Sequence, residues 1–212
     1  MTADQTPLRS FVDRFAHASQ ATGGALELHE EPQWQQVNLR IDPAAAGSLT
    51  HVLGGALPLE PNTVVTTDQR QLVWLGPDEW LALSQDHTAD VEPALRAAAS
   101  APVSVVDVSA ARTTISLSGP AARDVLAHGC GLDLDAAQFT PGTCAQTRLA
   151  LANVVLVAPH DQPADFVTSP RFLILVRPSF AAYLATWLLD AAAEYRADSH
   201  ADADQVTRPG PT

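Results

Sequence analysis

The chain has 212 residues, of which 46% are hydrophobic, and this apolar content is enough to bury the core of one domain. Twelve basic and twenty-four acidic residues give a net charge of −12, which would repel nucleic-acid backbones and anionic lipid surfaces. No apolar run approaches the roughly 20 residues that span a bilayer, and the N-terminus lacks the pattern of a signal peptide, so we expect a cytoplasmic protein with neither a membrane nor a nucleic-acid partner.

The two ends of the sequence differ from its middle. Residues 1–29 are expected to form a partly flexible N-terminal segment, although apolar residues recur at helical spacing between Leu8 and Phe15. Residues 196–212 contain one large apolar side chain and end in proline and glycine, so they cannot offset the entropy of ordering themselves. The composition therefore predicts one domain over residues 30–195, followed by a disordered acidic tail.

The first part of this domain has the pattern of strands followed by a short helix. WQQVNLRI, residues 34–41, has apolar residues at nearly period-two spacing, which predicts a strand. LVWLGPDEWLAL, residues 72–83, places two apolar runs around a Gly-Pro-Asp turn and predicts a hairpin. Asp90 can then cap a short helix over VEPALRAAA, because Pro93 falls within its first turn.

The segment VVDVSAARTTISLSGPAARDVL, residues 105–126, predicts two strands and a helix. A strand at 103–106 turns over and runs back as a second strand at 113–117, which would make a second hairpin. The second strand alternates apolar and polar residues, so we expect one of its faces to be buried. Pro120 suits the first position of a helix, which we predict over residues 121–128.

Three further strands and a long helix complete the pattern. The strands are predicted at 147–151, 154–157 and 172–176, and Ser179 can cap the helix that follows. Strand pairs separated by helices predict an α+β domain, with helices on one face of mixed or antiparallel sheets. The apolar stripe of the last helix is expected to consist of Phe180, Tyr183, Leu184, Trp187, Leu188 and Ala191.

A search for catalytic chemistry yields no site residues. The seven histidines never fall four residues apart, and no Cys-x-x-Cys occurs, so we predict no metal site. There is no G-x-S-x-G motif and no glycine-rich phosphate loop, so we predict no catalytic and no cofactor-binding residues. Cys130 and Cys144 could form a disulfide, but a reducing compartment favours two buried thiols.

Two residues are candidates for contact with a partner protein. Trp80 follows the turn of the first hairpin, and Arg112 follows the turn of the second. Exposed aromatic and arginine side chains are the types enriched at protein interfaces. The alternative for Trp80 is an ordinary place in the core, which is where most tryptophans lie.

Five motifs occur in the order LGPDEWLAL, DVS with Arg112, SGPAARDVL, GCGLDLDAAQFTPGTCAQT and SFAAYLATWLLDAAAEY. Through them the sequence resembles the gamma subunits of heterotetrameric sarcosine oxidases over roughly residues 30–195. The strand and helix of the DVS and SGP segment also resemble the folate-binding aminomethyltransferases, which include the T-protein of glycine cleavage. The resemblance therefore implies the N-terminal part of the aminomethyltransferase fold.

The resemblance also implies a function and a set of partners. In the family, the complex demethylates sarcosine oxidatively to glycine, and tetrahydrofolate accepts the one-carbon unit. FAD, FMN, NAD and tetrahydrofolate belong to the partner subunits, so the resemblance implies no cofactor in this chain. Its partners would be the alpha, beta and delta subunits, and its own role would be structural.

Departures from the aminomethyltransferases favour this non-catalytic role. Those enzymes carry an essential aspartate between two of the later strands, whereas LALANVVLVAP has no carboxylate there. The His-Met pair that follows DVS in those enzymes is replaced by Ala110 and Ala111. Two alternatives remain open from sequence, namely a free-standing folate-binding regulator and an independent aminomethyltransferase-like enzyme.

Overall fold

The computed structural model describes residues 6–86, 90–163 and 165–196. The tail predicted from residue 196 onward lies, apart from Arg196 itself, outside the described residues. The α-helices are α1 (Val12–Ala21), α2 (Thr50–Leu53), α3 (Glu92–Ala98), α4 (Ala122–Ala127) and α5 (Pro178–Ala191). The strands are β1 (Glu27–Glu30), β2 (Gln35–Ile41), β3 (Val64–Thr66), β4 (Gln71–Gly76), β5 (Glu79–Ser84), β6 (Val103–Asp107), β7 (Thr113–Ser118), β8 (Thr143–Leu149), β9 (Ala152–Ala158) and β10 (Arg171–Val176).

The strands form two five-stranded sheets. Sheet 1 has the order β1-β7-β10-β9-β8, and sheet 2 has the order β3-β4-β5-β2-β6. Every pairing between these strands is antiparallel. The middle of the chain therefore builds sheet 2, whereas strands from before and after it combine into sheet 1.

Helices cover the outer face of each sheet, and the two inner faces pack against each other. α1, α4 and α5 lie on sheet 1 around a core that includes Phe172 and Leu184. α2 and α3 lie on sheet 2 around a second core that includes Leu95. Val73 of sheet 2 and Val155 of sheet 1 belong to a third core between the sheets. The predicted α+β class, with antiparallel sheets and helices on one face of each, is confirmed.

The predicted second hairpin is wrong. β6 pairs with β2 in sheet 2, whereas β7 pairs with β1 and β10 in sheet 1. A 3-10 helix over Ser109–Ala111 leads the chain from one sheet to the other. Periodicity identified both strands, but it cannot distinguish a turn within one sheet from a crossing between two. The first hairpin is confirmed, because β4 pairs directly with β5.

β7 is buried on both faces, although its sequence predicted only one buried face. Its polar residues Thr114 and Ser116 are 5% and 0% exposed. β7 lies in the interior of sheet 1, which has helices on one side and sheet 2 on the other. Small hydroxyl side chains fit into this space between layers, so their polarity did not indicate solvent.

The N-terminal residues are part of the same fold. Leu8, Phe11, Phe15 and Leu28 are buried in the core under sheet 1, and β1 pairs with β7. The expected boundary at residue 30 therefore does not separate two packing units within the described residues.

α5 differs from its prediction in two respects. The helix begins at Pro178, and its N-cap Arg177 makes no side-chain capping bond, so Ser179 lies inside the helix and is not the cap. Its buried face is narrower than predicted, because Phe180 and Tyr183 are 42% and 39% exposed. The buried face consists of Ala181, Leu184, Ala185, Leu188 and Ala191.

Candidate functional site

The two segments in which the chain crosses between the sheets lie side by side. The first crossing leads into β2, and the second is the turn before β7. The backbone N–H of Val108 donates to the carbonyl of Gln36 at 2.8 Å, and the N–H of Gln36 donates to Ser109 Oγ at 2.9 Å. The amide Nε2 of Gln36 donates to the carbonyl of Arg112 at 3.1 Å. These bonds join the two crossings into one wall.

A cleft of about 510 Å³ opens against this wall. Its lining combines residues of both crossings with the N-terminal segment and with Pro178 at the start of α5. Its lining includes apolar groups as well as acidic, amide and hydroxyl groups. The lining residues that bear on its chemistry are Val12, Glu30, Glu31, Trp34, Gln36 and Arg112.

The acidic side of the cleft is held in place by hydrogen bonds. Glu31 lies 3.1 Å from the ring nitrogen of His29, and this hydrogen bond is the main reason that the pKa of Glu31 falls below its usual value. Glu30 accepts hydrogen bonds from the hydroxyls of Thr6 and Thr113. The two carboxylates are therefore fixed on the N-terminal side of the cleft.

The cleft also has two buried polar atoms without a partner among the described residues. They are the indole Nε1 of Trp34 and the amide Oε1 of Gln36, whose residues are 6% and 1% exposed. Burying such an atom without a hydrogen bond costs about 1–3 kcal/mol. The wall of the cleft therefore contains buried polar atoms that lack a hydrogen bond within the described residues, although Trp34 itself belongs to the core between the sheets.

A second cavity of about 370 Å³ shares Arg112 with the first. Arg177 also lines it, and no aspartate or glutamate of the described residues does. Burial lowers the pKa of Arg112, the neighbouring charge of Arg177 lowers it further, and Glu79 opposes this. Neither arginine forms an ion pair within the described residues. Arg112 is thus the one residue predicted from sequence that lies at this site.

Trp80 is placed elsewhere. Its side chain is 0% exposed, lies in the core on the helix-covered face of sheet 2, and donates from its indole N–H to the carbonyl of Pro58 at 2.7 Å. A side chain in this position cannot contact a partner while the fold is intact. The structure therefore does not bring Trp80 and Arg112 together, and the alternative interpretation of Trp80 as a core residue describes its position.

Sequence reasoning missed a group of exposed apolar side chains on α5 and the β8–β9 turn. Phe180 and Tyr183 lie one turn apart on α5, and the N–H of Leu151 donates to the hydroxyl of Tyr183 at 3.2 Å. Leu151 is itself 68% exposed. We call these three residues the α5 patch. The alanines on the opposite side of α5 could have indicated this exposure, because a stripe of small residues can pack closely on a sheet and leave the large residues facing outward.

The described residues show no grouping of three or more histidine, cysteine, aspartate or glutamate side chains that could hold a metal ion. In the same residues, no helix has both the length and the apolar character needed to cross a bilayer.

The two cysteines are free and lie in different cores. Cys130 belongs to the core under the helices of sheet 1, whereas Cys144 belongs to the core between the sheets. Burial raises the pKa of the Cys144 thiol from 9.0 to about 12.

Alkaline pH should therefore destabilise the chain through Cys144. The unfolded thiol loses its proton near pH 9, whereas the folded thiol keeps it to about pH 12. The contribution of the protonated Cys144 thiol to the free energy of unfolding is therefore fully present below pH 9. It is lost as the pH rises, by up to about 1.4 kcal/mol per pH unit, until the folded pKa is reached. Urea unfolding of the wild type at pH 8, 9 and 10 measures this slope.

The matched variants for this test are Cys144→Ala and Cys130→Ala. Each should lower stability at pH 7 by about 1 kcal/mol, because a small buried side chain is truncated. Cys144→Ala should also flatten the alkaline slope, because it removes the thiol whose proton is lost more readily in the unfolded chain. Equal slopes in Cys144→Ala and the wild type would show that Cys144 is not the group responsible.

Comparison with known proteins gives consistent matches over most of the chain. A family model described as sarcosine oxidase, gamma subunit family, matches residues 39–194. The sarcosine oxidase subunit gamma of Corynebacterium sp. (strain P-1) is 32% identical over 197 residues, which cover 92% of each chain. The same subunit of an Arthrobacter species is 32% identical over 194 residues, covering 90% of this chain and 91% of its own.

Two solved structures are also similar. A chain of the heterotetrameric sarcosine oxidase from Corynebacterium sp. U-96, in complex with pyrrole 2-carboxylate, aligns with a TM-score of 0.80 and 30% identity. The alignment covers 91% of this chain and 96% of that one. The glycine cleavage system aminomethyltransferase T from Bartonella henselae aligns with a TM-score of 0.58 and 15% identity, over 81% of this chain and 48% of that one. The second similarity concerns the fold alone.

Proposed function

The chain belongs to the sarcosine oxidase gamma subunit family, and on that premise we propose that it serves as the gamma subunit of a heterotetrameric sarcosine oxidase, with a structural role in assembly. The observation that carries the proposal is 32% identity over 92% of both this chain and a gamma subunit. The alignment covers nearly the whole of both proteins, so the similarity is not limited to one part of either. It does not favour a free-standing folate-binding regulator or an independent transferase.

The partners follow from the same proposal. They are the alpha, beta and delta subunits, in a cytoplasmic complex that converts sarcosine to glycine with tetrahydrofolate as the one-carbon acceptor. FAD, FMN, NAD and tetrahydrofolate are bound by those partner subunits. This chain contributes a folded surface on which they assemble.

The α5 patch is the surface that we propose for docking a partner subunit. Leu151, Phe180 and Tyr183 expose apolar area next to one another, and permanent interfaces between subunits are more apolar than the rest of a protein surface. Arg112, at the junction of the two cavities, remains a proposed polar contact.

Charging the α5 patch should prevent assembly while leaving the fold intact. Leu151→Asp and Phe180→Asp each place a carboxylate where a partner would exclude water, so the yield of co-purified complex should fall at least about tenfold. Both side chains are substantially exposed, so the free energy of unfolding should change by less than about 1 kcal/mol. Co-expression with the partner subunits followed by gel filtration measures the yield.

Leu59→Asp is the matched control, because Leu59 is 61% exposed and lies outside the patch. It should assemble like the wild type. Wild-type assembly of both patch variants would assign docking to another surface. A wild-type chain that never co-purifies with the flavoprotein subunits would contradict the subunit role itself.

A further inference from the structure

Arg112 and Arg177 face each other at the end of a strand pair. The ladder between β7 and β10 pairs Thr113 with Val176, and the next position in the same register places Arg112 opposite Arg177. Like charges directly opposite each other on neighbouring strands destabilise a sheet. Burial is the first cause that lowers the pKa of Arg112, and the charge of Arg177 is the second.

No carboxylate within the described residues neutralises this pair. Glu79 is close enough to oppose the lowering of the Arg112 pKa, but its Oε1 accepts a hydrogen bond from Asn38 at 2.8 Å. Other arginines do have acidic partners, which is unsurprising in a chain with a net charge of −12. Those pairs are Arg40 with Asp78 at 2.8 Å, Arg96 with Glu92 at 2.8 Å, and Arg171 with Asp161 at 2.7 Å.

The cavity around the pair offers further hydrogen-bond donors. Thr147 and Asn153 line it with one hydroxyl and one amide, whereas the Nε2 of Gln146, which also lines it, donates to the carbonyl of Leu75 at 2.7 Å. The cavity therefore gathers positive charge and donors on a strongly acidic protein.

We propose that the cavity between Arg112 and Arg177 binds a carboxylate group. The planar guanidinium fork matches the two oxygens of a carboxylate, and opposed arginines can hold it from both sides. Neither arginine has an ion-pair partner among the described residues, so a bound carboxylate would supply the negative charge that the pair lacks. The carboxylate comes either from a small free acid or from an acidic side chain of a partner subunit.

Acetate tests the site on the full chain, with acetamide as the uncharged probe of the same shape and with constant ionic strength. The Nε–Hε signals of Arg112 and Arg177 in nitrogen-15 NMR spectra should shift and saturate with acetate and not with acetamide. Arg112→Gln and Arg177→Gln should each weaken acetate binding at least about tenfold, since each removes a charge-assisted pair.

Arg148→Gln is the matched control, because Arg148 lies on β8 next to the cavity but is not among the residues that line it. It removes the same charge and should change acetate affinity less than about twofold. The absence of a saturable shift, an equal response to acetamide, or equal losses in Arg148→Gln and Arg112→Gln would each overturn the proposal. Because the measurement uses this chain alone, its failure does not bear on the subunit role.

The assembled complex then identifies the source of the carboxylate. If Arg112→Gln lowers the yield of complex and the acetate shift disappears on assembly, a partner subunit supplies the carboxylate. If Arg112→Gln assembles normally and the complex still binds acetate, the ligand is a free acid.

Discussion

Replacing Trp80 by alanine should lower the free energy of unfolding by about 3–5 kcal/mol, as is usual for a truncated core tryptophan. Trp80 is completely buried in the core between sheet 2 and its helices, so truncation leaves a cavity that the surrounding side chains cannot fill. The loss of the indole N–H also leaves the carbonyl of Pro58 without its 2.7 Å bond. Urea unfolding followed by circular dichroism measures the change.

Trp80→Phe separates these two contributions. Phenylalanine keeps much of the ring volume but cannot donate to Pro58, so we expect a smaller loss of about 1–3 kcal/mol. If Trp80→Ala instead kept wild-type stability and lost only its partners in co-purification, Trp80 would be an interface residue, as its position after a turn first indicated.

Replacing Gly119 by alanine should be nearly as damaging, with a loss of about 2–5 kcal/mol. Gly119 has a φ of +113°, a backbone conformation that residues with a Cβ rarely adopt. A Cβ at this position would lie 2.5 Å from the backbone oxygen of Ala25, which also accepts a hydrogen bond from Ala121. The backbone on both sides would have to shift at the junction of β7 and α4.

Gly47→Ala is the matched control for Gly119→Ala. A Cβ at Gly47 would meet nothing within 4 Å, and the residue lies in the 3-10 helix Pro43–Leu49. Alanine at a compatible position restricts the unfolded chain, so this variant should be neutral or more stable by up to about 1 kcal/mol. Similar losses in the two variants would indicate that the close approach to Ala25 is not the cause.

Local sequence patterns were sufficient to predict most of the strands and the first hairpin, although they did not predict β1 or β3. Gly76, Pro77 and Asp78 mark a turn between two strands that do pair with each other. Local patterns were insufficient where the pairing strands are distant in sequence, as on either side of Ser109. There the choice between two sheets depends on which long-range contacts form. The resemblance to a known family supplied the architecture that periodicity could not.

The candidate site was predictable only in part, for the same reason. Arg112 was found from its place after a turn, but its opposition to Arg177 depends on the β7–β10 register, which no local pattern reveals. Phe180 and Tyr183 were assigned to the core because an apolar stripe normally faces inward. On α5, the small residues around Ala181 and Ala185 form the buried face instead, and this displaces the large side chains toward solvent.

The order of strands in sheet 1 also has a consequence for the nascent chain on the ribosome. Every strand of sheet 2 lies between the two crossings, so all strands of this sheet can pair as soon as β6 has been translated. β1 has to wait for β7, because its pairing partner Ser118 lies 91 residues after Glu27. Through that interval β1 is an unpaired strand edge, which is a template for aggregation. A chain whose translation stops before β7 would therefore contain a complete sheet 2 and an unpaired, aggregation-prone β1.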